Sequence, residues 1–463
     1  MRGLLRTKAI NADHHLADTG LRRVLGPWDL TLLGIGAIIG AGIFVLTGVA
    51  AATKAGPAIV LSYVIAGFAC AFSALAYAEL AAAIGGCGSA YGYSYAGLGE
   101  MVAWVIGWDL ILEYGVATAA VAIGWAGYVD NAMAAIGLRL PEALLKAPPQ
   151  GGLLNLPAVL IVLTLAGLLS LGVRESARFN AVMVAVKLLA IGVFIVVALS
   201  HVEPANWTPF APFGWEGVMG GAALIFFAYI GFDAVSTAAE EARRPQRDLP
   251  IGILASLAVC TVVYVVVAGL LTAVVPYGSL NVGSPVAEVM LRLGYPWVAG
   301  LIAAGAIAGL TTVMLVLYYG LTRVFLAMSR DGLLPPVFAR ISPRTQTPVR
   351  VILASGVLIA GVAGLTPIDT VAELVNIGTL AAFFLVCLGV VSLRYTHPDL
   401  PRPFRTPWSP LVPLLGAASC LYLMLSLPPA TWIRFGAWLT LGLIVYFLYS
   451  RDHSQLAAKP AGP

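Results

Sequence analysis

The chain has 463 residues, of which 60% are hydrophobic and 10% charged, with a net charge of +4 and a mean hydropathy of +0.92. Soluble domains carry about 25% charged residues, so the composition excludes one and predicts a polytopic membrane protein. The small positive charge requires no nucleic acid, because membrane topology accounts for it.

The N-terminal stretch MRGLLRTKAINADHHLADTG is polar and lacks the apolar region of a signal peptide, so the first span is expected to stay in the mature protein. His14 and His15 read as part of a solvated tail rather than as a metal site. A membrane-spanning helix needs ~20 apolar residues. Twelve segments qualify: 28–52, 57–84, 101–128, 154–172, 178–201, 217–239, 250–275, 296–328, 350–366, 370–395, 408–426 and 430–450. An even count puts both ends of the chain on one side. Segments on that side hold 19 of the 26 lysines and arginines, and the opposite side holds 5. Lys187 and Arg323 fall within spans. The basic excess marks the cytoplasmic side, so both termini are expected there, in an inner (plasma) membrane.

The first span contains GIGAIIGAGIF, residues 34–44. Each glycine weakens a helix by roughly 1 kcal/mol relative to alanine, so the run predicts a helix that breaks. The second span carries Glu79, expected to be structural. The Gly-rich stretch 85–100, GGCGSAYGYSYAGLGE, lacks the ending of a phosphate loop. It reads as the connection between spans 2 and 3, with serine and tyrosines as a gate or hinge. The third span holds Asp109 and Glu113, and the fifth holds Lys187. The sixth, GGAALIFFAYIGFDAVSTAAEE, has Gly231 and Asp233 deep inside it. Asp233 suits the start of a second half-helix. The five cysteines are scattered without a CxxC pair and read as small buried residues, and no metal site is expected.

Span 6 begins 189 residues after span 1, from position 28 to 217. The same offset carries span 3 onto span 8 and span 5 onto span 10. An odd number of spans per unit inverts the second copy. Helices interrupted at matching positions of two inverted halves point to a transport site at the bilayer midplane. At a break in span 1, the N–H groups around Ala41, Gly42 and Ile43 form the positive start of a half-helix and suit a carboxylate. Carbonyls freed near Phe227, Ala228 and Ile230 suit an ammonium. One zwitterion satisfies both, and an L-amino acid is the simplest. Glycines kept for close helix packing are the alternative.

The stretches GIGAIIGAGIFVLTG (34–48), WDLILEYG (108–115), SARFNAVMVAVK (176–187), FFAYIGFDAVSTAAEEARRPQRDLPIGI (226–253), TRVFLAMSRDGLLP (322–335) and RPFRTPWSPLVP (402–413) run in order along the chain. In them the sequence resembles the amino acid–polyamine–organocation superfamily, in the branch of bacterial relatives of the cationic amino acid transporters. The resemblance implies an all-α LeuT-type inverted repeat of five spans plus five, with helices 1 and 6 broken and two further helices. The units are then a tail 1–27, a first repeat 28–201, a second repeat 202–395, spans 11 and 12 within 396–450, and a tail 451–463. It implies secondary transport of amino acids without a cofactor, often driven by a proton gradient. Animal relatives in this branch carry fourteen spans against the twelve here, and bacterial relatives take neutral as well as cationic amino acids.

Substrate-binding positions on this reading are Ile39, Gly40, Ala41, Gly42 and Ile43 in span 1, and Phe227, Ala228 and Ile230 in span 6. Phe227 is the bulky lid that the superfamily often places there. Met314 and Leu317, spaced i, i+3 on span 8, close the side-chain pocket. Glu113 is either a pocket residue that attracts a cationic side chain or a structural carboxyl group. A charge at bilayer depth costs ~2.5–3.5 kcal/mol on insertion scales, which makes each a functional candidate. Lys187 matches the position of an amine found near the span-1 break in proton-coupled relatives. Desolvation acts against its charge, so it is placed to take up and release a proton as the site opens to each side; snorkelling is the alternative. Under the 189 offset Asn376 matches Lys187, and with Glu373 it is a further candidate for a gate. The loops 243–250 and 329–335 suit either headgroup contacts with membrane lipids or ion pairs with Glu240 and Glu241. Small neutral substrates such as alanine are expected, with cationic ones open. An amino-acid or polyamine exchanger, a nutrient sensor and an integral membrane enzyme are the competing readings, and the last lacks any HExxH or G-x-S-x-G motif. Oligomeric state is not readable.

Overall fold

The computed structural model describes residues 6–7, 23–84, 88–135, 137–138, 140–282, 284–425, 427 and 429–457. His14, His15, Gly85, Gly86, Cys87 and the side chain of Glu373 lie outside the described residues. Among those described, all regular structure is helical apart from one isolated parallel bridge between Leu25 and Ala242.

The first predicted span is broken. Helix α1 (Pro27–Ile38) opens with Pro27, where a missing N–H costs nothing, and Asp29 Oδ2 accepts the Gly26 N–H at 2.8 Å. It stops at Ile39, which is extended (φ −75°, ψ 100°). The chain then re-enters helical geometry through a π-turn, Gly42–Leu46, the short α2 (Thr47–Ala50) and a second π-turn, Ala51–Ala55. Such turns recur at functional sites. After Gly56, α3 (Ile59–Ala83) runs back. The Gly-rich stretch read as a connection contains a helix, α4 (Ala90–Gly97), with Tyr91, Tyr93 and Tyr95 all buried. Their burial offsets the poor helix propensity of a Gly- and Tyr-rich segment.

Next come α5 (Glu100–Ala135), α6 (Leu156–Leu171) and α7 (Val173–Leu199). The sixth predicted span is broken as well. It consists of α8 (Gly214–Ile225), a 3-10 turn Phe226–Tyr229, an irregular stretch, and a 3-10 segment Asp233–Ala238. There follow α9 (Pro245–Val274), α10 (Pro285–Arg292), α11 (Pro296–Arg330), α12 (Val349–Leu365), α13 (Ile368–Thr396), α14 (Leu411–Leu425) and α15 (Pro429–Val445).

Among the described residues, eight stretches are long and apolar enough to cross a membrane, and one of them, Pro27–Ala83, contains both α1 and α3. The apolar α6, α12 and α14 are shorter; a 16-residue helix rises roughly 24 Å against a ~30 Å hydrocarbon core. The protein is a multi-pass membrane protein. Its helices pack in a repeated relation: α3 lies along α9, α5 along α11 and α6 along α12. Each pair joins a predicted span to the one five later.

The segment RPFRTP closes one end of this bundle. Glu79, near the end of α3, accepts Arg394 Nε at 3.0 Å and Nη2 at 2.7 Å, and the Thr406 N–H at 2.7 Å. Arg402 donates to the Leu393, His397 and Leu400 carbonyls. Helix α15 is held to α5 by tryptophans. Trp108 Nε1 donates to the Trp438 carbonyl (3.0 Å) and Trp438 Nε1 to the Trp108 carbonyl (3.1 Å), with ring centroids 4.6 Å apart. Trp104 stacks on Trp108 and donates to the Gly442 carbonyl.

Candidate functional site

The two interrupted helices meet face to face. A Cβ on Gly42 would collide with Ala228, and one on Gly231 would meet Ala37 at 2.8 Å and its backbone at 3.0 Å. Gly231 also has φ +118°, a region that L side chains rarely enter. Glycine at these two positions lets each break approach the backbone of the other.

Between them lies a small cavity. Ala37, Ile38, Gly40, Ala41 and Gly42 form one wall, and Phe227 and Ile230 form the facing one. Ala117 and Val121 of α5 and Val313 and Leu317 of α11 complete it. Six of the residues singled out in the sequence thus line the cavity: Gly40, Ala41, Gly42, Phe227, Ile230 and Leu317. Ile39, Ile43, Ala228 and Met314 are buried but outside the lining. Ala117 and Val121 follow Glu113 at i+4 and i+8, on the same helix face, so helical spacing from Glu113 would have found them. Val313 is the i−4 neighbour of Leu317, whereas sequence reasoning took the i−3 neighbour Met314.

The break in α1 frees carbonyls, and buried side chains supply their donors. Lys187 Nζ, fully buried on α7, donates to the carbonyls of Ile35 (2.9 Å), Gly36 (3.1 Å) and Ile39 (2.9 Å) and to Thr312 Oγ1 (2.9 Å). These carbonyls are the C-terminal, negative end of the α1 dipole, which favours a cation. Thr312 Oγ1 lies 2.9 Å from the Gly36 carbonyl and 2.8 Å from that of Gly309. Tyr264 of α9 reaches both breaks: its hydroxyl is 2.7 Å from the Ile38 carbonyl and 2.9 Å from that of Ala228. A phenol has one proton, so it serves one break or the other at a time. Tyr128 donates to the Phe44 carbonyl at 3.0 Å, and Thr47 to that of Gly42 at 3.1 Å.

A second polar region lies along α5. Glu113 is fully buried and neither of its carboxylate oxygens accepts a hydrogen bond. Asp109, Asp233 and Thr379 are its neighbours, but Thr379 donates to the Val375 carbonyl instead. Asp233 begins the second segment of the broken sixth span, and Tyr114 donates to its Oδ2 while Oδ1 accepts nothing. Glu113 does not line the cavity. Asn376, which the internal offset aligns with Lys187, has an unpaired Oδ1.

Toward the end of the bundle that carries the termini, the segment after Ala238 is tied down. Arg323 pairs with Glu241 at 2.6 Å, both buried, and its guanidinium lies 4.5 Å from the Tyr319 ring centre. Arg330 pairs with Glu240 at 2.7 Å. The Glu241 carbonyl accepts the Val24 and Leu25 N–H groups, and Arg243 N–H donates to the Leu25 carbonyl. Both acidic residues named as possible ion-pair partners are therefore paired, with arginines of α11.

The chain was compared with known proteins. A family model described as "Amino acid permease" matches residues 25–447. The chain is 50% identical over 459 residues to the methylthioribose transporter of Bacillus subtilis (strain 168), covering 98% of this chain and 100% of that protein. It is also 50% identical over 464 residues to the branched-chain amino acid permease BcaP of the same organism, with the same coverage. With the human cationic amino acid transporter 4 it shares 38% identity over 396 residues, 83% of this chain and 62% of the relative. The chain belongs to the amino acid permease family, within the amino acid–polyamine–organocation superfamily, and is a transport protein rather than an enzyme.

Proposed function

We propose that this member of the amino acid permease family is a proton-coupled symporter of neutral L-amino acids that works by alternating access. The observation that carries the proposal is the cavity between the two breaks, polar at both backbone walls and apolar elsewhere. The substrate carboxylate lies against the N–H groups of Gly40, Ala41 and Gly42, which open a helical segment and so lack intrahelical acceptors. The ammonium lies against the carbonyls of the cavity residues Phe227 and Ile230, each of which has two lone pairs. The side chain enters the space bounded by Ala117, Val121, Val313 and Leu317, which suits alanine and branched aliphatic side chains. The BcaP relatives are named for branched-chain substrates.

Lys187 is the coupling residue in this reading. A protonated amine offers three donors and no lone pair, whereas a neutral one offers two donors. Loss of the proton loosens the hold of α7 on the end of α1, and α1 is the element that must move. Pairing of helices five spans apart supports a five-plus-five inverted repeat with twelve spans and repeats at 28–201 and 202–395. Both termini are then cytoplasmic. A second reading, transport of cationic amino acids, is favoured by the unpaired carboxylate of Glu113 one turn from the cavity residue Ala117.

The test is uptake of labelled alanine, leucine, arginine and methylthioribose into proteoliposomes in sodium-free buffer, with and without an inward proton gradient. Accumulation of an amino acid that requires the gradient is the expected result. Uptake that ignores the gradient and appears only with amino acid loaded inside would make the protein an exchanger. Accumulation of the sugar alone would remove the amino-acid assignment.

A further inference from the structure

Chain ends of membrane proteins stay loose unless something ties them down. Here the stretch after α15 is tied down by several hydrogen bonds. It continues as a π-turn, Tyr446–Ser450, and a helical turn, Arg451–His453; Tyr446, Ser450 and the following Ser454 are buried despite their hydroxyls. Glu100, the buried first residue of α5, is the hub. Its carboxylate accepts Tyr446 at 2.9 Å and Ser454 at 2.6 Å from this stretch, and Tyr95 of α4 at 3.0 Å. Bonds to a charged acceptor are the strong kind. The Glu100 N–H donates to the Arg6 carbonyl (2.9 Å), so the beginning of the chain reaches the same residue.

The other anchors grip the turn after α11. Ser450 Oγ donates to the Leu333 carbonyl at 2.7 Å, Gln455 N–H to that of Asp331 at 3.0 Å, and Gln455 Nε2 to that of Arg330 at 2.5 Å. Gly332 (φ +81°) leaves no room for a Cβ beside the His453 carbonyl. Tyr91 of α4 donates to Asp331 Oδ2 at 2.7 Å. Arg330 is in turn the partner of Glu240, and Glu241 holds the Val24–Leu25 segment and Arg323. An unbroken run of contacts thus joins Gln455 to the end of the broken sixth span.

We infer that residues 446–457 form a strap that holds the terminal face of the transporter closed, by fastening α4, the start of α5 and the Asp331–Leu333 turn as one unit against the segment 233–242. The inference rests on the alternating-access reading in one respect, that this face opens during the cycle. The strap itself is a mechanical device that needs neither substrate nor proton to be observed. Release of Ser454 or Gln455 lowers the barrier to opening without touching the cavity.

The test is amide hydrogen exchange on the full-length protein in lipid nanodiscs, without substrate, comparing the native chain with Ser454→Ala, Gln455→Ala and the double variant. The segments 90–97 and 233–242 are expected to exchange at least about tenfold faster in the double variant, which loses two side-chain hydrogen bonds, Ser454 to Glu100 and Gln455 to the Arg330 carbonyl. Helix α10, on the opposite face, keeps its native rate, and Ser454→Thr, which retains the hydroxyl, restores slow exchange. Faster exchange confined to 446–457 would overturn the inference, because the tail would then be docked without holding anything. Equal acceleration of α10 would also overturn it, by showing general destabilisation. Failure of proton-driven uptake alone would instead count against the proposed function and leave these exchange outcomes readable.

Discussion

At the end of α1, Lys187, Thr312 and Tyr264 supply donors to the carbonyls of Ile35, Gly36, Ile38 and Ile39. Along α5 and the sixth span, Asp109, Glu113 and Asp233 are just as deeply buried, yet four of their six carboxylate oxygens accept nothing. Both regions place polar atoms at membrane depth, where an unsatisfied group costs several kcal/mol. The first region is complete without a guest and is built to hold a backbone in a non-helical shape. The second has acceptor capacity left over, which is the property expected of a surface that meets a donor-bearing partner during the cycle. Burial alone therefore does not tell the two regions apart, whereas hydrogen-bond satisfaction does.

The sharpest way to break this contrast acts on the contact between the two broken helices. Gly42→Val places a side chain into Ala228 and forces the breaks apart; overpacking of this kind costs ~1–3 kcal/mol. Substrate affinity is expected to fall by about a hundredfold in equilibrium binding, and native affinity would move the site away from the breaks. Lys187→Ala comes next, because it strips donors from three carbonyls at once. Gradient-driven uptake should disappear while part of the binding persists, and unchanged accumulation in proteoliposomes would remove the coupling role.

Tyr264→Phe tests the completed region more gently. It leaves the Ile38 and Ala228 carbonyls without their shared donor, a loss of roughly 1–3 kcal/mol. The melting temperature should drop and KM should rise about tenfold. The smallest effect is expected in the unsatisfied region. Glu113→Gln keeps volume and shape, and volume-conserving swaps usually cost less than about 1.5 kcal/mol. Thermal stability should hold or improve, and KM should rise more for arginine than for alanine. Equal changes for the two substrates would make Glu113 a structural or proton-handling group.

Much of this contrast was legible in the sequence, and the illegible part has physical reasons. Glycines inside apolar runs pointed to both breaks, and their occurrence at matching places in two spans separated this from close helix packing. Lys187 stood out as a cation in an otherwise apolar span. Tyr264 did not, since a tyrosine in an apolar helix looks like packing until the direction of its hydroxyl is known. Helix α4 was hidden by its own composition and forms only because three tyrosines find a core. Ala117 and Val121 carry no signal of their own, being small apolar residues in an apolar span, and only the packing shows that the cavity opens beside them.

The tryptophan clamp between α5 and α15 has an optical consequence. The indoles of Trp104, Trp108 and Trp438 are stacked, with centroid separations of 5.5 and 4.6 Å and interplanar angles of 22° and 18°. Chromophores held that close share their excitation, so this trio forms a coupled absorber distinct from the protein's seven other tryptophans. Its near-ultraviolet circular dichroism reports whether α15 is seated on α5, with no label attached. A change of signal during turnover would mean that α15 shifts against α5, and a constant signal would mark the two as one rigid body.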